Sequence, residues 1–502
     1  MSEINTHVCA RSLVSASGLS TALLVFFVPT GLLFLSILVM NHGVMIYTLD
    51  DPYIHMALAK HIWAGHYGIN AGEYSAPSSS IIWPFMLAPF SMWGRAFFYV
   101  PLVINVVFAF LTFLLVVDLL KRLRCQFPLV VTCGLFFSIN IFGLIFNGME
   151  HSLQVYLTSL IAAGMVRKEF IEETKLPNIL YLAIFLLPLV RYEGLAISLP
   201  TLVYLLLNGE RSRPLYCGIA ILLALASFSF FLNSLGLGLL PSSVLAKSDI
   251  SGLQSLAEHA LDQCRQGGWV IFAVLMFCWY YSGRTSLIML LLSVTLCHTL
   301  FGKTGWYGRY EIYWLAFIAM FFLAACSRHL SDRCMVMVFS CLPLAFTGLF
   351  YVTLSTPWAS ANINNQQYVM SKIASRLNEP LAVNDLGLVS LATDQYVLDL
   401  GGLASYEALQ LKRAESNSLW IGALMKQHNV KYAFIYDGWF RQRPANFIKI
   451  ARLKLAVPNI TSAQDSVSLY AVDAASADKL KSVLTEFRAL NSSDKFEINY
   501  VE

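Results

Sequence analysis

Charge is scarce in this chain. Asp, Glu, Lys and Arg make up 13% of its 502 residues, against ~25% in an ordinary soluble domain. Hydrophobic residues make up 57%, and mean hydropathy is +0.62. So little charge excludes a water-soluble globule and fits a polytopic membrane protein. Cysteine is absent after position 341, and none of the ten cysteines stands in a CxxC pair. That removes the spacing of a zinc or dithiol site. Most of them lie in or beside apolar runs and read as small hydrophobic residues. No A-x-A-like cleavage site follows the first apolar run, so that run is expected to stay as a membrane helix. Internal repeats and low-complexity tracts are missing. The net charge of +4 says little about partners, and nucleic acid is not among those expected.

What is present is a series of apolar runs whose joints alternate in kind. Eleven spans are predicted, at 20–41, 97–119, 128–146, 150–166, 178–190, 194–208, 214–235, 268–283, 286–301, 310–326 and 334–354. One set of joints carries Lys121, Arg122 and Arg124, Arg167 and Lys168, Arg211 and Arg213, Arg284, and Arg328 with Arg333. By the positive-inside rule these joints are cytoplasmic, and Arg11 puts the N-terminus on the same side. The other joints, 42–96, 147–151, 191–194, 236–267 and 302–309, face outward. Residues 178–207 are read as two short helices. A single helix there would run to about 45 Å at ~1.5 Å per residue, far beyond a ~30 Å hydrocarbon core. The charged tip between the halves, RYEG, is then expected below the outer surface, facing protein or a water-filled cavity.

The 42–96 loop is too long for a spacer. Its segments 53–64 and 81–93 are predicted as interfacial helices lying along the membrane. After Tyr351 the composition becomes mixed. Strand-like runs at 381–383, 396–398, 431–436 and 466–472 alternate with helical stretches such as 403–411 and 418–428. The expected organisation is a transmembrane domain over 1–354 and a soluble α/β domain over 355–502, set outside by the odd number of spans.

The outward side gathers the chemistry: Asp50, Asp51, Tyr53, His55, His61, His66, Glu73, Glu150, His151, Arg191, Glu193, Lys247, Lys303, Arg309 and Glu311. A transporter more typically sets such groups near the bilayer midplane. Polar groups collected at one face point to a reaction there.

Six segments resemble one family. LDDPYIHMALAKHIWAGHYG, followed by GEYSAPSSSIIWPFMLAP, resembles the first outer loop of bacterial GT-C glycosyltransferases. NGMEHSLQVYL is similar to their small-Gly-Met-Glu turn, and RYEG to their Arg-x-Glu-Gly turn. LGLGLLPSSVLAKS is similar to their Pro-x-Ser/Thr-x-x-x-Ala-Lys loop. WYGRYEIYW resembles the Gly-Arg-Tyr segment that opens a late helix, and AVNDLGLVSLATDQYVLDLGGL the first segment of the outer C-terminal domain. The segments keep the family's order and cover most of the chain. A departure is Pro52, where small residues such as Ala are common; proline suits a first helical turn, so no loss of the site is expected.

The resemblance implies a GT-C fold in a bacterial inner (cytoplasmic) membrane, with its active site facing the periplasm. It implies an inverting transferase that takes a monosaccharide from a polyprenyl-phosphate donor, undecaprenyl being expected, to a cell-envelope glycan or glycolipid. The residue types suit that chemistry. A base must take a proton from the acceptor hydroxyl, cations must hold the departing phosphate, and an apolar groove must take the prenyl chain. Asp50 and Asp51 are the candidate catalytic residues. Arg191, Lys247 and Arg309 are candidate phosphate ligands, and Tyr53, His55, Glu150, Glu193 and Tyr310 shape the site.

Plainer readings stand beside these. Either aspartate could cap the 53–64 helix; Asp51 lies nearer its start and is the better cap, which leaves Asp50 as the preferred base. No cofactor is assigned, and a divalent cation at Asp50, Asp51 and His55 stays open, against a histidine held by hydrogen bonds. Glu150, Arg191 and Glu193 could form a buried structural set. Lys247 could be a solvated loop lysine, and Arg309 could snorkel to lipid headgroups. Trp306 and Tyr307 read as an interfacial belt, and Ser78, Ser79 and Ser80 as a helix start. A lipid-linked sugar flippase and a non-catalytic polysaccharide assembly protein are the alternatives in other functional classes.

Overall fold

The computed structural model describes residues 16–173, 175–247, 261, 269–282, 284–414, 417–491 and 493–501. Each of the eleven apolar runs is a helix or a bent pair of helices. In order they are Ala16–Met40, Val100–Arg122, Pro128–Ser138 with Ile141–Asn147, His151–Phe170, Asn178–Val190 and Leu195–Leu207. Then come Ser212–Ser234, Trp269–Ser282, Thr285–Phe301, Ile312–His329, and Asp332–Ala345 with Thr347–Leu354. Among the described residues, 4 helices are long and apolar enough to cross a membrane, or up to 6 if each bent pair is one span. The protein is therefore mostly helical, with several helices fit to span a bilayer.

The two bends have a local cause. The first, of 65°, turns at Asn140, which takes a left-handed φ of 58°. The second, of 80°, lies between Ala345 and Thr347. The two are tied together, because the Thr353 hydroxyl donates to Asn140 Oδ1 at 2.8 Å. The His151–Phe170 helix is the central post, packed against Ile312–His329, Val100–Arg122 and Asn178–Val190. The serine cluster is a helix start, as expected: Ser80 Oγ accepts from the Trp83 amide at 3.0 Å, opening the Trp83–Leu87 helix.

The loop helix Asp51–Trp63 departs from expectation. It does not lie on a lipid surface. Residues Pro52 to Ala59 are all buried. One side packs on Trp83–Leu87 and the 3-10 segment Ala88–Tyr99, and the other on the Gly387–Ala392 helix of the C-terminal region. Its apolar residues face protein on both sides, which a lone amphipathic pattern cannot distinguish from a membrane-facing stripe. In the 81–93 segment Phe85, Met92 and Trp93 are exposed, while Trp83, Pro84 and Leu87 are buried.

The C-terminal region carries one six-stranded sheet, in the order β2-β1-β3-β5-β4-β6. The strands are β1 (Leu381–Val383), β2 (Val397–Asp399), β3 (Tyr432–Ile435), β4 (Ile448–Leu455), β5 (Ser466–Ala471) and β6 (Phe496–Tyr500). β2, β1 and β3 are parallel, and the rest antiparallel. Tyr432, Phe434 and Leu469 point to a core that also contains Ile54, Leu58, Phe228 and Leu232. The opposite face, with Ala433, Ile435 and Tyr470, closes a core made only of C-terminal residues. The sheet thus shares one of its two cores with the loop and helices of the membrane region.

Two further ties fix the join. The helix Thr356–Asn365 packs on Ala16–Met40, and Asn41 Nδ2 donates to Ser360 Oγ at 2.8 Å, so no free linker begins at 355. At the sheet's edge, the Asn70 side-chain amide donates to Val397 O at 3.0 Å and accepts from Val397 N at 2.9 Å. One side chain thus takes the place of a neighbouring strand.

Candidate functional site

The turn that carries the two aspartates is held from three directions. Tyr53 OH accepts from the Tyr47 amide at 3.0 Å, and Tyr47 OH donates to Phe98 O at 2.6 Å. Opposite them lies the Asn-Gly-Met-Glu turn. Gly148 has φ +70°, and a side chain there would come within 2.8 Å of Pro52 and the Tyr47 ring. The glycine therefore answers both a backbone and a packing demand. Pro52 fills the space it leaves and brings Glu150 beside the aspartate turn.

Asp50 and Asp51 then diverge. The Asp50 carboxylate accepts from Gly387 N at 2.6 Å and Leu388 N at 2.9 Å, the first amides of the Gly387–Ala392 helix. Neither aspartate caps its own helix as predicted: Asp51 is its first residue, and Asp50, at the N-cap, makes no side-chain capping bond. The amides that hold Asp50 come instead from the sheet-bearing region. Burial pushes the Asp50 carboxyl above its ordinary range, and the Asp385 and Asp51 charges push the same way, against the two amides. Asp385 is also raised, chiefly by burial, while hydrogen bonds from Tyr436 at 2.7 Å and Gln367 at 2.9 Å oppose it.

Asp51 meets a cation instead. Its Oδ1 accepts from Arg309 Nη2 at 3.1 Å, and its side chain keeps 22% of its surface exposed. Arg309 does not snorkel to lipid. It is buried, also donates to Tyr310 OH at 2.9 Å, and lies 4.8 Å from that ring's centre. Arg309 Nε is buried without a hydrogen-bond partner among the described residues.

Tyr310 bridges to a second charged set, since Arg191 lies 5.5 Å from the same ring. Arg191 donates to Glu150 Oε1 at 2.6 Å and to Glu193 Oε1 at 2.9 Å. This is the buried structural set, so the predicted phosphate ligand Arg191 has its donors turned to carboxylates. Buried charge requires such pairing, and the RYEG tip finds it against protein as expected. His55 Nε2 lies 3.8 Å from the other oxygen of Glu150. His55 thus ties Glu150 into the same neighbourhood as the aspartate turn, four residues after Asp51 on its helix. Among the described residues, no group of three or more His, Cys, Asp or Glu side chains is gathered as metal ligands would be.

Asp50, Asp51, His55, Glu150, Arg191, Glu193, Arg309 and Tyr310 therefore form one connected string, with Tyr53 bracing its start. The Lys247 side chain lies outside the described residues, although the helix Ser242–Lys247 itself is described. His66 and Glu73 are engaged elsewhere, His66 with Asn70 O and Glu73 O in their own turn and Glu73 with Tyr396 OH at 2.9 Å. Tyr307 is pinned inward, its hydroxyl donating to Val352 O at 3.0 Å, and leaves Trp306 alone as the exposed member of the expected belt. Sequence reasoning missed Asp385, Gly387, Gln367 and Tyr436 as neighbours of the aspartates. The signal lay in AVNDLGLVS, which holds the first two of them.

Fold and site define a mostly helical protein with several helices long and apolar enough to span a membrane, whose charged turns are locked beneath a mixed-sheet domain. A family described as a domain of unknown function (DUF8728) matches residues 361–470, from the Thr356–Asn365 helix into β5. The chain is similar to that family over the sheet-bearing part, which includes Asp385, Gly387 and Leu388. No curated protein matches the chain.

Proposed function

We propose that this protein is an integral-membrane glycosyltransferase of GT-C type, moving a sugar from a polyprenyl phosphate to a periplasmic glycan or glycolipid with inversion. The observation that carries the reading is the Asp51–Arg309 pair, set next to a clamped second aspartate at the junction of the helical and sheet-bearing regions. A partly open carboxylate within 3.1 Å of a buried guanidinium offers the two groups that this transfer needs. Asp51 takes the acceptor's proton as the C1–O bond breaks, and Arg309 stabilises the phosphate that leaves. Asp50, with both oxygens engaged by amides, positions Asp51 and does not act as the base. Arg191, Glu150 and Glu193 hold Tyr310 and the floor of the site. Lys247 is kept as a second phosphate ligand on the resemblance of its loop.

This reading goes with eleven crossings of a bacterial inner membrane and an outward sheet domain. The alternation of basic joints supports the orientation, and the agreement of each apolar run with a helix or bent pair supports the count. The test is transfer from a synthetic polyprenyl-phosphate sugar by the purified protein in detergent. Asp51→Asn should lose about 10²–10⁴-fold in turnover, the usual contribution of a positioned base, with donor binding retained. Normal turnover in Asp51→Asn, or product formed only from movement of the donor across sealed vesicles, would remove the proposal.

A further inference from the structure

A pocket on the sheet-bearing domain, apart from the aspartate site, has its own chemistry. Arg441, Gln442, Arg443, Phe447, Lys449 and Tyr470 line an open space of about 720 Å³, within the ~300–1,000 Å³ range of small-molecule sites. The Tyr470 and Phe447 rings lie 5.4 Å apart, and Arg443 and Lys449 sit 5.7 and 5.8 Å from the Tyr470 centre. Asp437 pre-arranges these groups. It accepts from Lys449 at 2.7 Å and from Tyr470 OH at 2.7 Å, with Arg443 at 3.7 Å and Arg452 at 3.9 Å. Burial works against its ionised form, but the hydrogen bonds from Lys449, Tyr470 and Ser468 win and hold it below the usual carboxylate range. Three cations share that one carboxylate, and the exposed Arg441 adds a fourth.

We infer that this pocket binds an acidic saccharide, its anionic group held by Arg441, Arg443 and Lys449 and its ring against the half-buried Phe447, which the buried Tyr470 backs. Guanidinium forks suit a carboxylate or phosphate, an aromatic floor suits a sugar face, and the Gln442 amide suits hydroxyls. A lipid headgroup is disfavoured by position. Tyr470 belongs to the core built only of C-terminal residues, whereas the other sheet face meets the membrane region. The inference stands apart from the transfer reaction, because binding is read without a donor.

The test is calorimetric titration of the full-length protein in detergent with trigalacturonate, its methyl ester, inorganic phosphate and phosphatidylglycerol vesicles. Trigalacturonate should bind in a salt-dependent way, and the ester and inorganic phosphate should bind far more weakly. Arg441→Glu, at an exposed position, should lower affinity about tenfold or more with an unchanged melting temperature. Lys449→Ala should lower it as well. The inference is overturned by absent binding, by equal binding of the ester or of phosphate, by unchanged affinity in both variants, or by vesicles that bind through the same residues.

Discussion

Arg191 and Arg309 flank one tyrosine ring and are both 2% exposed, yet their surroundings differ. Arg191 is shared between two carboxylates, whereas Arg309 faces one carboxylate and keeps a buried nitrogen without a partner among the described residues. Replacing them should therefore fail in different ways. Arg191→Ala strands Glu150 and should cost about 3–5 kcal/mol, seen as a large fall in melting temperature. Arg309→Ala should weaken donor binding by about 1.5–3 kcal/mol, as for a hydrogen bond to a charged group, with a smaller stability loss. Glu150, Arg191 and Glu193 were legible as a set because their turns fall on the same side of the predicted membrane. The partner of Asp50 was not, since Gly387 lies 337 positions away and offers only a backbone amide. A carboxylate's preference for a helix start is readable from sequence; which helix start it meets is set by tertiary packing.

The short Gly387–Ala392 helix is the element on which Asp50 depends. A side chain at Gly387 would overlap the Asp50 carbonyl oxygen and come within 2.8 Å of its carboxyl group. Gly387→Ala should thus destabilise the protein by about 1–3 kcal/mol, the usual cost of overpacking, and slow exchange protection at Leu388 should be lost. The same contact carries a pH dependence. Asp50 and Asp385 bind protons more readily folded than unfolded, so their contribution to stability is full at acid pH and is lost as pH rises from the ordinary carboxylate range upward. Asp385→Asn keeps an acceptor for Tyr436 and Gln367 but removes the like charge. It should flatten the fall in melting temperature that begins at the ordinary carboxyl value of 3.8 and ends where Asp50 titrates, at about 8. Of the strands, β1 and β3 are continuous apolar runs and β2 and β5 are largely apolar, and all four were readable. β4 reads IKIARLKL and β6 FEINY, half polar because each turns one side to solvent near the sheet's edge, and these escaped notice.

For the molecule as a whole, the placing of basic joints gives a topology that a reporter can check. A periplasm-dependent reporter fused after Glu502 should be active, and a cytoplasm-dependent one silent; the reverse result would end the eleven-crossing reading. The apolar helices were legible because long apolar runs admit few alternatives, whereas the helices Thr356–Asn365, Gln367–Leu377 and Ala474–Leu490 were not read. The docking of the two regions was not, because Ile54, Leu58, Phe228 and Leu232 look the same whether they face lipid or a sheet. That docking bears on how the protein can be handled. Detached from residues 1–354, the sheet would bare β2 along the line where Asn70 now sits, together with the apolar face that the loop helix covers. An uncovered strand edge beside an uncovered apolar face invites self-association. A fragment spanning 361–502 should accumulate as aggregate, whereas the same fragment supplied in trans with the 42–96 loop should stay in solution. The sheet domain is therefore not a portable unit, since one of its two cores is completed by residues of the loop and helices that precede it.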